Sequence, residues 1–284
     1  MRLKSCIGSL LLTLMLCSCN SWLDIDLINQ SEESDLFSTE RGFSEALAGV
    51  YCDIAASNMY GQTLSFGMLD IMSRIYDYSQ IPNKMKIFRD YNYQDKDMKA
   101  YIYALWCSFY ANIASLNNIL EWSERNASVL SDERRDQVRG EALALRGMLH
   151  FDIYRLFTAD IKLDKTSRIL PYQTDFGVKT PPVYATGDYL DLVVRDLEDA
   201  IKYLENDPIM KITPYELGNG DGENKDQADL YVARMNYYAA KALLARVYLN
   251  MGGEKVKEAR RLAEEVIDCG KFALVDYEKS LNTE

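Results

Sequence analysis

The chain has 284 residues and a formal charge of −11, with 48% hydrophobic and 26% charged residues and a single histidine. That hydrophobic share lies in the globular range and excludes a disordered tail. The acidic balance excludes nucleic acid as a partner by charge, and it sets the protein surface against anionic lipid.

The N-terminus supplies a different route to a membrane. Arg2 and Lys4 precede the apolar run IGSLLLTLML, which is too short to span a bilayer as a helix. A basic start, a short apolar middle and a small-residue end are the layout of a secretory signal peptide over residues 1–18. Its close, Leu16-Cys17-Ser18-Cys19, fits the bacterial lipobox and makes Cys19 the lipid acceptor. One acyl chain binds a membrane only marginally, whereas two or three on one residue hold it durably. Residues 19–37 carry Asp24, Asp26, Glu32, Glu33 and Asp35 with no Lys or Arg, and read as a solvated acidic tether. A helical domain over 38–284 follows.

Ser38 is the expected N-cap of a first amphipathic helix, TERGFSEALAGVYCDIAAS. Residues 58–96 lose helical periodicity but hold Tyr60, Phe66, Tyr76, Tyr78, Phe88, Tyr91 and Tyr93. Such aromatic content in a long irregular segment argues for function over disorder. Over 97–124, Leu105, Phe109, Ile113, Leu116 and Leu120 recur at helical spacing, and Ser131 is placed to cap a helix over 132–157. A second long connection, 158–187, contains Pro171, Pro181 and Pro182. Residues 187–205 put Leu190, Val193, Val194, Leu197, Ala200, Ile201 and Leu204 on one face.

A Gly-, Asn- and Asp-rich loop spans 206–229, and two further helices form a hairpin broken at Gly252-Gly253 and ended by Gly270. EALALRGML (141–149) and KALLARVYL (241–249) repeat Ala, Leu, Arg and Leu at the same offsets. That echo predicts close packing of successive helices in the tetratricopeptide manner. No strand-type alternation occurs before residue 271. The predicted fold is all-α, with tetratricopeptide-like helical hairpins and long irregular loops.

The chemistry is sparse. Cys52, Cys107 and Cys269 are widely spaced and form no CxxC, which excludes a zinc knuckle and a dense disulfide framework. Cys107 lies in an apolar helical run and reads as a small hydrophobe. His150 sits within GMLHFDIY and reads as a half-buried, satisfied side chain. HExxH, GxSxG and GxxxxGK[ST] are absent, and Glu198/Asp199 lie on a charged helix face. NGDGENKDQADL (219–230) has Asn224 and Leu230 where a calcium loop needs Gly and Glu. Hence no catalytic residue, metal or cofactor is predicted. SRIYDY (73–78) gathers Arg74, Tyr76, Asp77 and Tyr78, combining flat apolar faces with the polar ends that sugar hydroxyls require. These four are the candidate ligand residues.

The lipobox with SWLDID, then GFSEALAGVY, MYGQTLSFGMLDIMSRIYDYS, LWCSFYANIASLNNIL, GEALALRGMLHFDIYRLF, DLEDAIKYLENDPIM and RMNYYAAKALLARVYLNMGGEKVKEARRLAEEVI occur in that order. Together they resemble the SusD/RagB family, the nutrient-binding lipoproteins of Bacteroidetes, from residue 1 to about 275. The resemblance implies a lipid-anchored outer-membrane protein facing the cell exterior. It further implies capture of oligosaccharides, such as starch fragments, for polysaccharide utilisation, and delivery to a SusC-like TonB-dependent transporter. Family members continue beyond VIDCGKFALV, so the chain reads as truncated at its C-terminus. Two alternatives are a helical-repeat lipoprotein that binds only a partner protein, and a peptide-capturing relative without a glycan site.

Overall fold

The computed structural model describes residues 33–77, 79–212 and 233–272. The leader, Cys19, Tyr78 and the 219–230 segment lie outside these residues. Eight α-helices are described: α1 Glu40–Ile54, α2 Met68–Met72, α3 Lys86–Arg89, α4 Lys96–Arg125, α5 Asp132–Phe157, α6 Thr186–Tyr203, α7 Tyr237–Met251 and α8 Lys255–Asp268. The fold is all-α, as expected. One departure is a short antiparallel hairpin, β1 Arg168–Pro171 with β2 Val183–Ala185, inside the connection read as irregular. It pairs Leu170 with Tyr184 and Pro171 with Val183, too few residues to leave an alternating pattern.

Helix boundaries follow their caps. Ser131 accepts the Arg134 backbone N–H, and Asp95 accepts those of Asp97 and Met98. The first helix is capped one residue later than expected, by Thr39, which accepts the Gly42 N–H, while the Ser38 hydroxyl donates to the Asp35 carbonyl. Gly252 (φ +74°) and Gly253 (φ +58°) make the turn between α7 and α8. The described end of the acidic tether is already part of the packed domain. Residues 33–36 form a helical turn, and Phe37 is buried and stacks on Trp122 at 5.6 Å between ring centres.

The long helices stack serially: α1 on α4, α4 on α5, α5 on α6, α6 on α7, and α7 on α8. Such nearest-neighbour contact is the solenoid principle. Helix α5 lies inside the stack and also touches α1 and α7. Its glycines permit the approach of α6: a Cβ at Gly140 would lie 2.5 Å from Leu204 Cγ.

The sequence echo divides at this point. Ala142, Leu143, Arg146 and Leu149 are buried, whereas Ala242 and Arg246 are exposed and Leu249 is 59% exposed. The two segments are similar in sequence but have different numbers of neighbours, so Ala242 is not the close-packed position its spacing implies. Cys107 is likewise corrected: it is exposed, on the outward stripe of α4 with Tyr103 and Ala111. Cys52, Cys107 and Cys269 are all unpaired.

The position of α5 buries four polar side chains, and each reaches a different partner. Glu141 accepts the Tyr51 hydroxyl of α1 at 3.0 Å, and Asp152 accepts the Tyr60 hydroxyl at 2.7 Å and Arg155 Nη1 at 2.9 Å. Arg146 forks onto Asp196 of α6, with Nε to Oδ2 at 2.7 Å and Nη2 to Oδ1 at 2.6 Å. His150 faces the Tyr189 hydroxyl from Nδ1 at 2.7 Å and the Gln173 carbonyl from Nε2 at 3.4 Å. These contacts tie α1, α6 and the β-hairpin connection to one central helix.

Candidate functional site

The aromatic segment gathers at one end of the stack. After α1 the chain runs through consecutive turns to α2, then through α3 into the first turns of α4. Tyr91 takes a left-handed conformation (φ +50°), and its hydroxyl donates to the Met72 carbonyl, pinning the α3–α4 connection to α2. Phe88 meets Tyr101 edge-on at 5.1 Å. The result is a surface bearing Phe66, Tyr76, Tyr91 and Tyr101, with Tyr93 at 49% and Tyr103 at 71% exposure.

Arg74, Tyr76 and Asp77, the described candidate residues of SRIYDY, fall within this surface. Arg74 is exposed and left-handed (φ +62°), a conformation uncommon outside glycine. Tyr76 offers part of its ring, but its hydroxyl already donates to the Phe66 carbonyl at 2.6 Å. Asp77 closes an Asx turn by accepting the Ser79 backbone N–H at 2.9 Å. That bond and the Ser79 hydroxyl hold its carboxyl below the usual carboxylate range. Tyr76 and Asp77 therefore make local structural bonds, and the Arg74 side chain and the Tyr76 ring face are the exposed parts.

Beside them lies a groove of about 610 Å³ between α2, α4, the end of α5 and β1. Met68, Met72, Met98, Phe157 and Ile169 line it with Tyr93, and Arg155 contributes the charge. The volume suits a small-molecule or oligosaccharide segment, since such sites occupy about 300–1,000 Å³ with mostly apolar walls. Of these residues sequence reasoning named only Tyr93, because the walls come from four separated segments. The only sequence signal is the density of Met and Tyr between 59 and 103.

Against the sequence expectation of a half-buried side chain, His150 is fully buried, because α5 lies inside the stack. Its Nε2 faces the Gln173 carbonyl and its Nδ1 the Tyr189 hydroxyl, which also donates to the His150 backbone carbonyl at 3.1 Å. Burial, reinforced by the Arg146 charge, lowers its pKa to about 3. No helix of the described residues is long and apolar enough to cross a membrane. Among those residues no cluster of His, Cys, Asp and Glu has the makings of a metal site.

Comparison with known proteins places this architecture. A SusD-like family model, described as starch-binding and associating with the outer membrane, matches residues 21–215. A search of curated proteins gave no match. Among solved structures, a SusD superfamily protein of Bacteroides thetaiotaomicron VPI-5482 superposes with a TM-score of 0.62 at 23% identity, covering 86% of this chain and 50% of its own. A SusD superfamily protein of Bacteroides vulgatus ATCC 8482 gives 0.63 at 23%, with coverages of 86% and 50%. A SusD-like carbohydrate binding protein from that organism gives 0.60 at 16%, with 84% and 47%. At these identities the likeness shows the fold. The chain spans about half the length of these solved structures.

Proposed function

Because this chain belongs to the SusD-like family of starch-binding proteins that associate with the outer membrane, we propose that it captures oligosaccharides at the cell surface and hands them to a SusC-like TonB-dependent transporter without acting on them chemically. The observation that carries this reading is the groove lined by Tyr93 beside the exposed tyrosines of the α4 face. Tyrosine stacks on the C–H faces of sugar rings while its hydroxyl reaches their polar edges. Arg155 beside the apolar floor supplies a hydrogen-bond donor. Non-catalytic capture accords with a sole histidine that is buried and held neutral.

Titration calorimetry with malto-, cello-, manno- and xylo-hexaose is the direct test. Tyr93→Ala is expected to weaken the groove's oligosaccharide affinity at least about ten-fold, the scale of one lost aromatic contact. Helicity should be unchanged, since the side chain is half exposed. Tight binding of hexapeptides with no response to any of the sugars would replace this reading by peptide capture.

The anchor is the second part of the proposal. Lipidation at Cys19 would keep the protein at the membrane and raise its local concentration for a transporter. Cys19→Ala should abolish metabolic labelling by palmitate and release the protein from the membrane fraction. A mutant that is still labelled would show that another residue carries the lipid.

A further inference from the structure

At the other end of the α4–α5 pair lies a second cavity, of about 530 Å³, with a different character. Leu105 of the first groove and Asn117 of this cavity are twelve residues apart on α4, about 18 Å along the axis, so the two are separate sites. Here the walls are polar: Asn117, Glu121 and Glu124 from α4, Arg139 from α5, and Asp175 with Phe176 from the loop after β1. We propose that this cavity is a second carbohydrate subsite, for an uncharged sugar unit. The ligand class rests on the capture reading above, but the site shares no residue with the groove.

The first reason is the combination of groups. Phe176 is 40% exposed at the mouth and has no ring partner among the described residues. A sugar needs one flat apolar platform and several hydrogen-bonding groups around its edge. Asp175 stands next to the platform, exposed, and its carboxylate makes no hydrogen bond or ion pair among the described residues. It is thus free to accept two neighbouring hydroxyls. Arg139, which pairs with Glu124 at 2.9 Å, adds a donor opposite.

The second reason is preorganisation. Asn117 Nδ2 donates to the backbone carbonyls of Gln173 at 3.1 Å and Asp175 at 3.4 Å, holding the loop that presents Phe176. Asn117 is itself oriented by Arg146 Nη1 at 2.7 Å, and Arg146 is locked by Asp196. A buried chain of bonds therefore ends at the cavity, so that the loop geometry is fixed before a ligand arrives. Such prior ordering reduces the entropy lost on binding.

Charge selects the ligand. Arg146 pairs with Asp196, Arg139 with Glu124 and Arg125 with Glu121, which leaves the Asp175 carboxylate as the acid of this wall without an ion pair among the described residues. This unpaired acid beside the platform repels a uronate or sialylated unit and leaves neutral sugars as the class that fits.

Calorimetry on the whole chain with the four neutral hexasaccharides and with hexagalacturonate tests both sites together. At least one neutral sugar should bind at two sites, with hexagalacturonate excluded from the second. Phe176→Ala and Asp175→Asn should each weaken one site at least ten-fold while Tyr93→Ala weakens the other. Unchanged melting temperatures in the two loop variants would show that the loss is not unfolding. Parent-like stoichiometry and affinity in both loop variants would overturn the second subsite and leave the groove reading intact. Loss in the loop variants with none in Tyr93→Ala would sustain this site and remove the groove. Failure of every neutral sugar to bind the parent would remove both.

Discussion

Asp196→Ala is expected to destabilise the fold by about 3–5 kcal/mol, the usual effect of removing one partner of a buried ion pair. Arg146 and Asp196 are each only 8% exposed at the side chain and are joined by two parallel charge-assisted bonds. The Tyr172 hydroxyl also donates to Asp196 Oδ2, at 2.8 Å. Without the carboxylate, a guanidinium and a phenol lose their acceptor where water cannot replace it. Replacing both charges, Arg146→Met with Asp196→Leu, should cost much less than the single change, because no orphaned charge remains. Urea unfolding of the parent and these two variants measures this. An Asp196→Ala protein within 1 kcal/mol of the parent, roughly the worth of a surface pair, would mean that the pair is solvated.

His150 gives the second large effect, through pH. Its pKa is about 3 in the folded protein and roughly 6.5 in an unfolded chain. Above pH 6.5 the ring is neutral in both states and the contribution is fully present. As pH falls, the unfolded chain takes up the proton and the folded one does not, so stability is lost between pH 6.5 and about 3. At pH 5 the loss is about 2 kcal/mol relative to pH 7, and near pH 3 it approaches about 4–5 kcal/mol. His150→Gln retains a donor but does not titrate. Its stability should therefore decline between pH 7 and pH 5 by about 2 kcal/mol less than the parent's. Equal declines in parent and variant would place the imidazole in contact with water.

The sequence by itself determined the six long helices of the described residues and their order, but not α2 and α3, which lie in the segment read as irregular. Period-3.6 patterns in 97–124 and 187–205, the Ser131 cap and the Gly252-Gly253 break all correspond to structure, because caps and amphipathic faces depend on residues close in the chain. The family was also legible, and five of its segments, from GFSEALAGVY to DLEDAIKYLENDPIM, lie within the residues that the family model matches. Tertiary structure decided the rest. Glu141 and Asp152 fall on one face of α5 and Arg146 and His150 on the opposite face, yet all four are buried, because α5 has neighbours on both faces. Ala142 and Ala242 lie in similar local sequences and have opposite exposure for the same reason. The groove at Tyr93 and the cavity at Phe176 each join segments far apart in the chain, and a pattern read along one segment does not show which others fold against it. Burial and convergence are properties of helix packing, and only the assembled stack specifies them.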